Sequence, residues 1–301
     1  MGMLVLGLAA CSQETTHADA VVGNSPPEMA APSLVIQPTS TFIIPATATQ
    51  IIIPKNLPSA TPTPVGCQET AGRVESGELV TGSLPKPLQF RVYLPPCYDA
   101  KPQREYPTLY WLHGQTYTED QWLRLGAAET ADRLITAGVI PPLVIVMPGE
   151  QDSDTPPPEN PFGEVIVREL IPFITQHYRV KIARNDRAIG GLSRGGNWAL
   201  HLGLTHWELF GAIGAHSTPT FVSDGEKQIR EWLSAIPDDQ IPRIYLDTGA
   251  DDGWRHYTLK LADILADENI PHEWYQFQGV HDESYWAAHL EGYLRWYTQE
   301  W

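Results

Sequence analysis

From residue 67 onward, short apolar segments alternate with segments in which apolar residues recur every three or four positions. The short segments are rich in β-branched and aromatic residues, which is typical of strands. Seven strands are predicted, at 88–95, 107–113, 142–148, 187–191, 210–216, 242–249 and 273–279. Helical periods lie between them, at 127–138, 163–178, 197–207, 255–269 and 284–299. This alternation predicts a single α/β domain over 67–301, with a mostly parallel sheet covered by helices on both faces.

The first 11 residues form an apolar run that is shorter than the roughly 20 residues a spanning helix needs. The run ends in Leu8-Ala9-Ala10-Cys11, which resembles a bacterial lipobox. The resemblance implies cleavage before Cys11 and attachment of lipid to that cysteine. The segment departs from the pattern in having no Lys or Arg before the apolar run, and an ordinary cleaved signal peptide is the alternative. Both interpretations predict export, with the protein either lipid-anchored to the outer face of a bacterial membrane or secreted.

Residues 12–66 are rich in Pro, Thr, Ser and Ala and carry few charges, which predicts an extended, disordered tether between the anchor and the domain. The whole chain has 20 basic and 36 acidic residues and a net charge of −16. This balance argues against binding to nucleic acid or to an anionic membrane surface. Membrane contact is therefore expected through the N-terminal lipid only.

The other two cysteines, Cys67 and Cys97, flank the entry to the predicted domain. In an exported protein such a pair is expected to form a disulfide. The closed loop would then stabilise the domain by on the order of 3 kcal/mol in the chain-entropy model. Two buried free thiols are the alternative.

The stretch "RAIGGLSRGGNWAL" runs from a predicted strand into a predicted helix, with Gly191-Leu192-Ser193-Arg194-Gly195 at the turn. This is the G-x-S-x-G arrangement of a nucleophile elbow. Its glycines allow strand and helix to approach closely around a serine with a strained backbone. The alternative is an ordinary glycine-rich loop, but the strand before the turn and the helix after it favour a nucleophilic Ser193.

A serine nucleophile needs a histidine base oriented by a carboxylate, in the chain order Ser, acid, His in this type of fold. His281 follows the last predicted strand, where the base is expected. The loop after the preceding strand offers two acids, and the count from Gly249 favours Asp252 over the close alternative Asp251. Two other carboxylates are weaker candidates, because Asp247 belongs in the strand and Asp282, next to the base, is better explained as a carboxylate that caps the loop.

The oxyanion of an acyl-transfer reaction is expected to bind the backbone N–H groups of Arg194 and Gln115, with Thr116 as a less favoured donor. The glycine of His113-Gly114 lets the chain turn toward Ser193 there. The ten histidines make no pattern of metal ligands with a second histidine and a carboxylate. No metal and no cofactor are therefore predicted.

The segments "RVYLPPCYD", "YPTLYWLHG", "RELIPFITQHYRV", "GGLSRGGNWAL", "YLDTGADDGW" and "GVHDESYW" together resemble the putative esterase family of α/β-hydrolases. This family includes esterase D, feruloyl esterases, enterochelin esterases and mycolyltransferases. The resemblance covers nearly all of 67–301 and implies the α/β-hydrolase fold and carboxylic-ester hydrolysis, with Ser193, Asp252 and His281 at the triad positions. The "SRGG" elbow differs from the commoner "SMGG", so no substrate preference carries over from better-known members.

Aromatic residues flank the predicted catalytic loops and could stack against aryl or sugar groups of a small-molecule or polysaccharide-linked ester. The candidates are Tyr117, Trp122, Trp254 and Trp286. The Pro-rich segment 149–163 is a candidate lid or binding loop, or else a solvated insertion. The function predicted from the sequence is a serine esterase that forms an acyl-enzyme. The alternatives are an acyltransferase with the same triad and a non-catalytic binding lipoprotein.

Overall fold

Eight strands form one mixed sheet in the computed structural model, which describes residues 66–301. They span Arg73–Leu79 (β1), Leu88–Leu94 (β2), Thr108–Leu112 (β3), Val144–Pro148 (β4), Arg187–Leu192 (β5), Ala212–His216 (β6), Arg243–Gly249 (β7) and Glu273–Phe277 (β8). Their spatial order is β1-β2-β4-β3-β5-β6-β7-β8; β1 and β2 are antiparallel to their neighbours, and the other strands are parallel. The predicted lipobox, and the predicted tether except Gly66, lie outside the described residues.

Helices cover both faces of the sheet. They span Gln121–Arg124 (α1), Ala127–Thr136 (α2), Phe162–Val165 (α3), Ile171–His177 (α4), Arg194–Thr205 (α5), Glu226–Ala235 (α6), Arg255–Asp267 (α7) and Glu283–Thr298 (α8). A π-helical turn at Ile166–Leu170 joins α3 to α4, whose second residue is Pro172. The Pro172 nitrogen cannot donate a hydrogen bond to the preceding turn. Within residues 66–301, none of the helices has the length and apolar character needed to cross a bilayer.

The apolar core lies in two layers, one on each face of the sheet. Side chains alternate between the faces along each strand, so that in β3 Tyr110 joins one layer and Trp111 the other. Helices α3 to α7 contribute to the layer with Tyr110, whereas α1, α2 and α8 contribute to the layer with Trp111. Central strands buried on both faces are what the near-continuous apolar segments predict, and the predicted α/β-hydrolase fold is confirmed.

All seven predicted strands are present, with ends within two residues of the predicted positions. Strand β1 was not predicted. Its sequence, RVESGEL, has polar residues along most of its length, and its side chains are exposed or half-buried because it lies at the edge of the sheet. Its polar composition suits an edge position, where few side chains have to enter a core.

The last turns of α8 pack directly on the middle of the sheet. The Tyr297 side chain occupies the space above Gly190 of β5 and Gly214 of β6, which are paired in register. A Cβ atom at either glycine would overlap the Tyr297 hydroxyl. Two glycines side by side in neighbouring strands therefore form a socket for the aromatic ring.

The predicted disulfide is present in the structure and joins Cys67 to Cys97, with a Cα–Cα distance of 5.8 Å. It connects the segment before β1 to the turn after β2. The Glu69 side chain supports this turn by accepting a hydrogen bond from the Cys97 N–H at 2.8 Å. The bridge fixes the start of the domain to its second strand.

Candidate active site

Ser193 lies at the sharp turn between β5 and α5. Its backbone has φ 51° and ψ −120°, an unusual conformation for a residue other than glycine. A Cβ atom at Gly191 would overlap the backbone of Gly195, and one at Gly195 would overlap the carbonyl groups of Leu112 and His113. The two glycines therefore allow the strand, the helix and the end of β3 to meet, as the elbow motif predicts.

The side chains of Ser193, His281 and Asp252 form a continuous hydrogen-bonded chain. His281 Nε2 lies 2.9 Å from Ser193 Oγ, and His281 Nδ1 lies 2.9 Å from Asp252 Oδ2. His281 belongs to the loop after β8 and Asp252 to the loop after β7, so all three residues come from the carboxyl ends of parallel strands. The structure thus brings together the three residues that the sequence selects.

The choice between the two neighbouring acids rests on their surroundings. Asp252 is buried, and besides His281 it accepts hydrogen bonds from the Trp254 N–H at 2.7 Å and from Thr248 Oγ1 at 3.2 Å. Burial by itself raises the pKa of Asp252, but the hydrogen bonds from His281 and the Trp254 N–H outweigh it and hold the pKa below its ordinary value. Asp251 is exposed, and its backbone N–H donates to the carbonyl of Gly279. Asp252 is therefore the acid that faces the histidine.

Two backbone N–H groups next to Ser193 are candidates for an oxyanion hole. Arg194 is the first residue of α5, where an N–H group has no acceptor within the helix. Gln115 and Thr116 follow Gly114, whose own N–H donates to Gln121 Oε1 at 2.8 Å. Gln115 and Arg194 line the same cavity as Ser193.

The cavity at Ser193 has a volume of about 430 Å³ and opens to solvent. Three of the predicted aromatic residues line it: Tyr117 and Trp254 are exposed, and Trp286 is buried and packs edge-on against the His281 ring at a centroid distance of 5.1 Å. Asn197 of α5 also lines the cavity. Its position after the elbow gives no signal in the sequence, because the residue could equally belong to the buried side of the helix.

Trp122 does not belong to the cavity, so its prediction as a substrate-binding residue is wrong. The side chain is 1% exposed and stacks on Trp111 with 3.8 Å between ring centroids. Its indole N–H donates to the Leu112 carbonyl at 2.9 Å. Trp122 is a core residue that contacts the end of β3. The short helix α1 directs its side chain toward the sheet rather than toward the cavity.

One group of potential metal ligands occurs within residues 66–301. It consists of Cys67, Glu69 and Cys97. Both sulfur atoms are joined in the disulfide and are not available as thiolates. This group therefore does not fit a metal ion.

Two features near the site were not predicted. The side chains of Arg194 and Glu150 form a buried ion pair directly beside the elbow. His216, the last residue of β6, and Asp247, its partner in register on β7, form a second histidine–aspartate pair in the core. The sequence gives no pairing signal for either pair, because the partners are far apart along the chain and meet only when the sheet forms.

Residues 81–297 match the family model described as "Putative esterase". An acetyl esterase of Caldicellulosiruptor saccharolyticus is 24% identical over 227 residues, which are 64% of this chain and 83% of that protein. An endo-1,4-beta-xylanase/feruloyl esterase of Xylanibacter ruminicola is 31% identical over 163 residues, which are 51% of this chain and 22% of that protein. Among solved structures, a ferulic acid esterase superimposes with a TM-score of 0.69 and 25% identity, over 76% of this chain and 98% of that one.

The sequence match covers most of the domain, from before β2 to the end of α8, and it includes the elbow and both loops that carry Asp252 and His281. The structural match covers 76% of the chain. Both agree with the resemblance carried by the sequence motifs. The chain belongs to the putative esterase family and is a carboxylic ester hydrolase.

Proposed function

We propose that the enzyme hydrolyses esters through an acyl-enzyme formed on Ser193. His281 Nε2 accepts the hydroxyl proton as Ser193 Oγ attacks the ester carbonyl, and Asp252 holds the imidazole in the required tautomer. The tetrahedral oxyanion binds the N–H groups of Arg194 and Gln115. Protonated His281 then gives its proton to the departing alcohol, and a water molecule activated by the same histidine releases the acid.

The observation that carries this proposal is the chain of two 2.9 Å contacts from Ser193 through His281 to Asp252. The serine end of this chain faces a cavity, whereas the aspartate end is buried and fully hydrogen-bonded. A nucleophile, a base and an orienting acid in this order are what acyl transfer needs at neutral pH.

We propose that the cavity accepts a compact or aromatic acyl group. Its volume is within the range of small-molecule sites, and Tyr117, Trp254 and Trp286 offer flat apolar surfaces for an aryl ring. The acidic residue Asp282 also lines it, which disfavours an acyl group with a negative charge of its own, whereas the Glu283 carboxylate is paired with Arg124. The acetyl esterase and the feruloyl esterase among the relatives support acetyl and feruloyl esters as the first substrates to test.

The test compares the wild-type enzyme with Ser193→Ala on p-nitrophenyl acetate, methyl ferulate and acetylated xylan. We expect the wild type to release acid from at least one of them, and to be labelled by a fluorophosphonate probe at Ser193. The variant should do neither. Labelling at another residue, or full turnover by the variant, would contradict the proposal. Addition of an alcohol acceptor, with analysis of the products, identifies an acyltransferase by a new ester.

We also propose that the domain works outside the cytoplasm on a lipid anchor at Cys11. The disulfide between Cys67 and Cys97 supports an oxidising compartment, because such bonds rarely persist in the cytosol. Cys11→Ser should abolish labelling by a radioactive fatty acid and release active esterase into the soluble fraction. Retention of this variant on membranes at high salt would overturn the anchoring proposal and leave the esterase proposal untouched.

A further inference from the structure

The Arg194 side chain makes a two-contact ion pair with Glu150. Arg194 Nε lies 2.7 Å from Glu150 Oε2, and Arg194 Nη2 lies 2.6 Å from Glu150 Oε1. The two side chains are 9% and 2% exposed. Glu150 is the second residue after β4, so the pair connects the nucleophile elbow to the loop at the carboxyl end of β4.

Glu150 is also the centre of a wider hydrogen-bond network. Its carboxylate accepts from Trp198 Nε1 at 2.9 Å and from Asn160 Nδ2 at 2.8 Å. Burial raises the pKa of the Glu150 carboxyl, and the Arg194 guanidinium and the Trp198 N–H oppose that rise. Arg194 Nη2 donates further to the Thr155 carbonyl at 2.6 Å. The Pro-rich segment 149–163 is therefore fixed to the elbow helix at Glu150 and Thr155, while Gln151, Asp152 and Asp154 between these points are exposed to solvent.

The backbone of Glu150 reaches the other side of the proposed oxyanion hole. Its N–H donates to His113 Nε2 at 2.8 Å, and His113 Nδ1 lies 2.7 Å from the Gly114 carbonyl oxygen. Since Nε2 accepts, the ring proton is on Nδ1, and the neutral imidazole donates to Gly114. Burial lowers the pKa of His113, which keeps the ring in this neutral form.

The Gly114 carbonyl and the Gln115 N–H belong to one planar peptide group. A hydrogen bond that fixes the direction of the carbonyl therefore fixes the direction of the N–H as well. The Gly114 carbonyl is held by His113 Nδ1 and, at 3.3 Å, by the Tyr117 N–H, and the Glu150 N–H holds His113. At the same time, the Glu150 carboxylate holds the side chain of Arg194, whose backbone supplies the second N–H.

We propose that Glu150 is a positioning residue that aligns the two oxyanion donors through Arg194 on one side and His113 on the other. The inference rests on the proposed acyl-enzyme function. The Glu150 carboxylate itself touches no reacting atom. Its effect should therefore appear when negative charge develops on the substrate oxygen, and not when the uncharged ester binds.

The test uses Glu150→Gln, Arg194→Met and the double variant. Arg194→Met keeps the backbone N–H at 194 and removes the guanidinium, and the double variant leaves no unpaired buried charge. Each protein is assayed for kcat and KM, for thermal unfolding, and for the affinity of two ligands. One ligand is an arylboronic acid, which forms a tetrahedral adduct on Ser193, and the other is ferulamide, an uncharged analogue that forms none.

We expect kcat to fall roughly 10- to 100-fold in all three variants, because they release the Arg194 side chain and misalign its backbone donor, which costs part of the roughly 100- to 1,000-fold loss caused by deleting one donor. The hydrogen bond from Glu150 to His113 comes from the backbone and is retained in all three. KM should stay within about twofold. The affinity for the boronic acid should fall by the same factor as kcat, and the affinity for ferulamide should not change. Stability should drop in the single variants and recover in the double variant, while its kcat remains low.

Arg133→Met is the matched control, because Arg133 forms an exposed ion pair with Glu291 and neither residue lines the cavity. It should leave every measurement unchanged. A double variant with wild-type kcat would overturn the positioning role, and so would an equal loss of ferulamide affinity. If a single variant does not fold, the double variant decides the question. Failure of the acyl-enzyme function itself would be seen separately, as wild-type turnover that does not depend on Ser193.

Discussion

The domain contains two histidine–aspartate pairs with similar contacts and different surroundings. His281 Nδ1 lies 2.9 Å from Asp252, and His216 Nδ1 lies 2.6 Å from Asp247. The His281 side chain is 22% exposed and borders the cavity, whereas His216 and Asp247 are fully buried. The second nitrogen of His281 faces the hydroxyl of Ser193, and that of His216 faces the hydroxyl of Tyr297, which is held in the core.

The buried pair connects the sheet to α8 through hydrogen bonds. Asp247 of β7 accepts hydrogen bonds from Tyr285 at 2.5 Å and Tyr293 at 2.9 Å, both on α8. The His216 ring stacks on Tyr293 with 3.7 Å between centroids. Burial, followed by the charge of Asp247, raises the pKa of the Tyr293 hydroxyl far above its ordinary value, so it remains a donor. Both pairs have a close contact between the imidazole ring and the carboxylate, so this contact does not distinguish them. The catalytic pair differs from the structural one in having access to a cavity and a nucleophile beside it.

The largest expected effect is the loss of kcat when the catalytic pair or its nucleophile is changed. Ser193→Ala and His281→Ala should each lower kcat by roughly a hundred-thousand-fold or more, because either change removes the nucleophile–base unit. The unfolding midpoint should change little. Initial rates on an activated ester and thermal unfolding measure both quantities. A residual rate within tenfold of the wild type would place the chemistry elsewhere.

The two neighbouring acids give the next largest difference. Asp252→Asn should lower kcat by roughly a thousandfold to ten-thousandfold, since the amide favours the wrong tautomer of His281. Asp251→Asn should have little effect, because Asp251 is exposed and does not contact the histidine. Steady-state kinetics of both variants are the measurement. A more damaging Asp251→Asn would reverse the assignment.

Asp247→Asn should affect the opposite property. An amide cannot accept hydrogen bonds from His216, Tyr285 and Tyr293 together, so we expect the free energy of unfolding to fall by about 3 kcal/mol. The folded fraction should retain kcat within about threefold. Urea unfolding, followed by kinetics under stabilising conditions, tests this prediction. A large loss of kcat without loss of stability would show that the buried pair takes part in turnover.

The smallest effect is expected for Tyr297→Phe, which removes the hydroxyl that faces His216 and keeps the ring in its socket. The free energy of unfolding should fall by about 1 kcal/mol, the usual value of one hydrogen bond. Turnover should not change. The same unfolding and rate measurements apply, and an effect as large as that of Asp247→Asn would mean that the network depends on this hydroxyl.

The sequence was most informative where local pattern and tertiary structure agree. Buried strands such as β4 and β5 are continuous apolar segments, and their ends follow from flanking Pro, Gly and charged residues. Strand β1 lacks such a pattern because an edge strand has little to bury. Ser193 can be predicted as the nucleophile because the turn motif marks it, and His281 can be predicted as the base because it follows the end of the last strand.

Other features depend on directions that spacing does not encode. Asp251 and Asp252 differ by one position, and only the path of the loop decides which carboxylate faces His281. The position of Trp122 next to a catalytic loop predicts that it lines the cavity, but the short helix α1 directs its side chain into the core. The partners Glu150 and Arg194 are separated by 44 positions and meet through the fold alone.

The socket that Gly190 and Gly214 form for Tyr297 decides where this domain can be cut or joined by an engineer. Truncations that remove Tyr297 would empty the space next to β5, the strand that leads into Ser193. A tag attached after Trp301 leaves the socket filled. A display or fusion format should therefore keep α8 whole and attach its partner after the last residue.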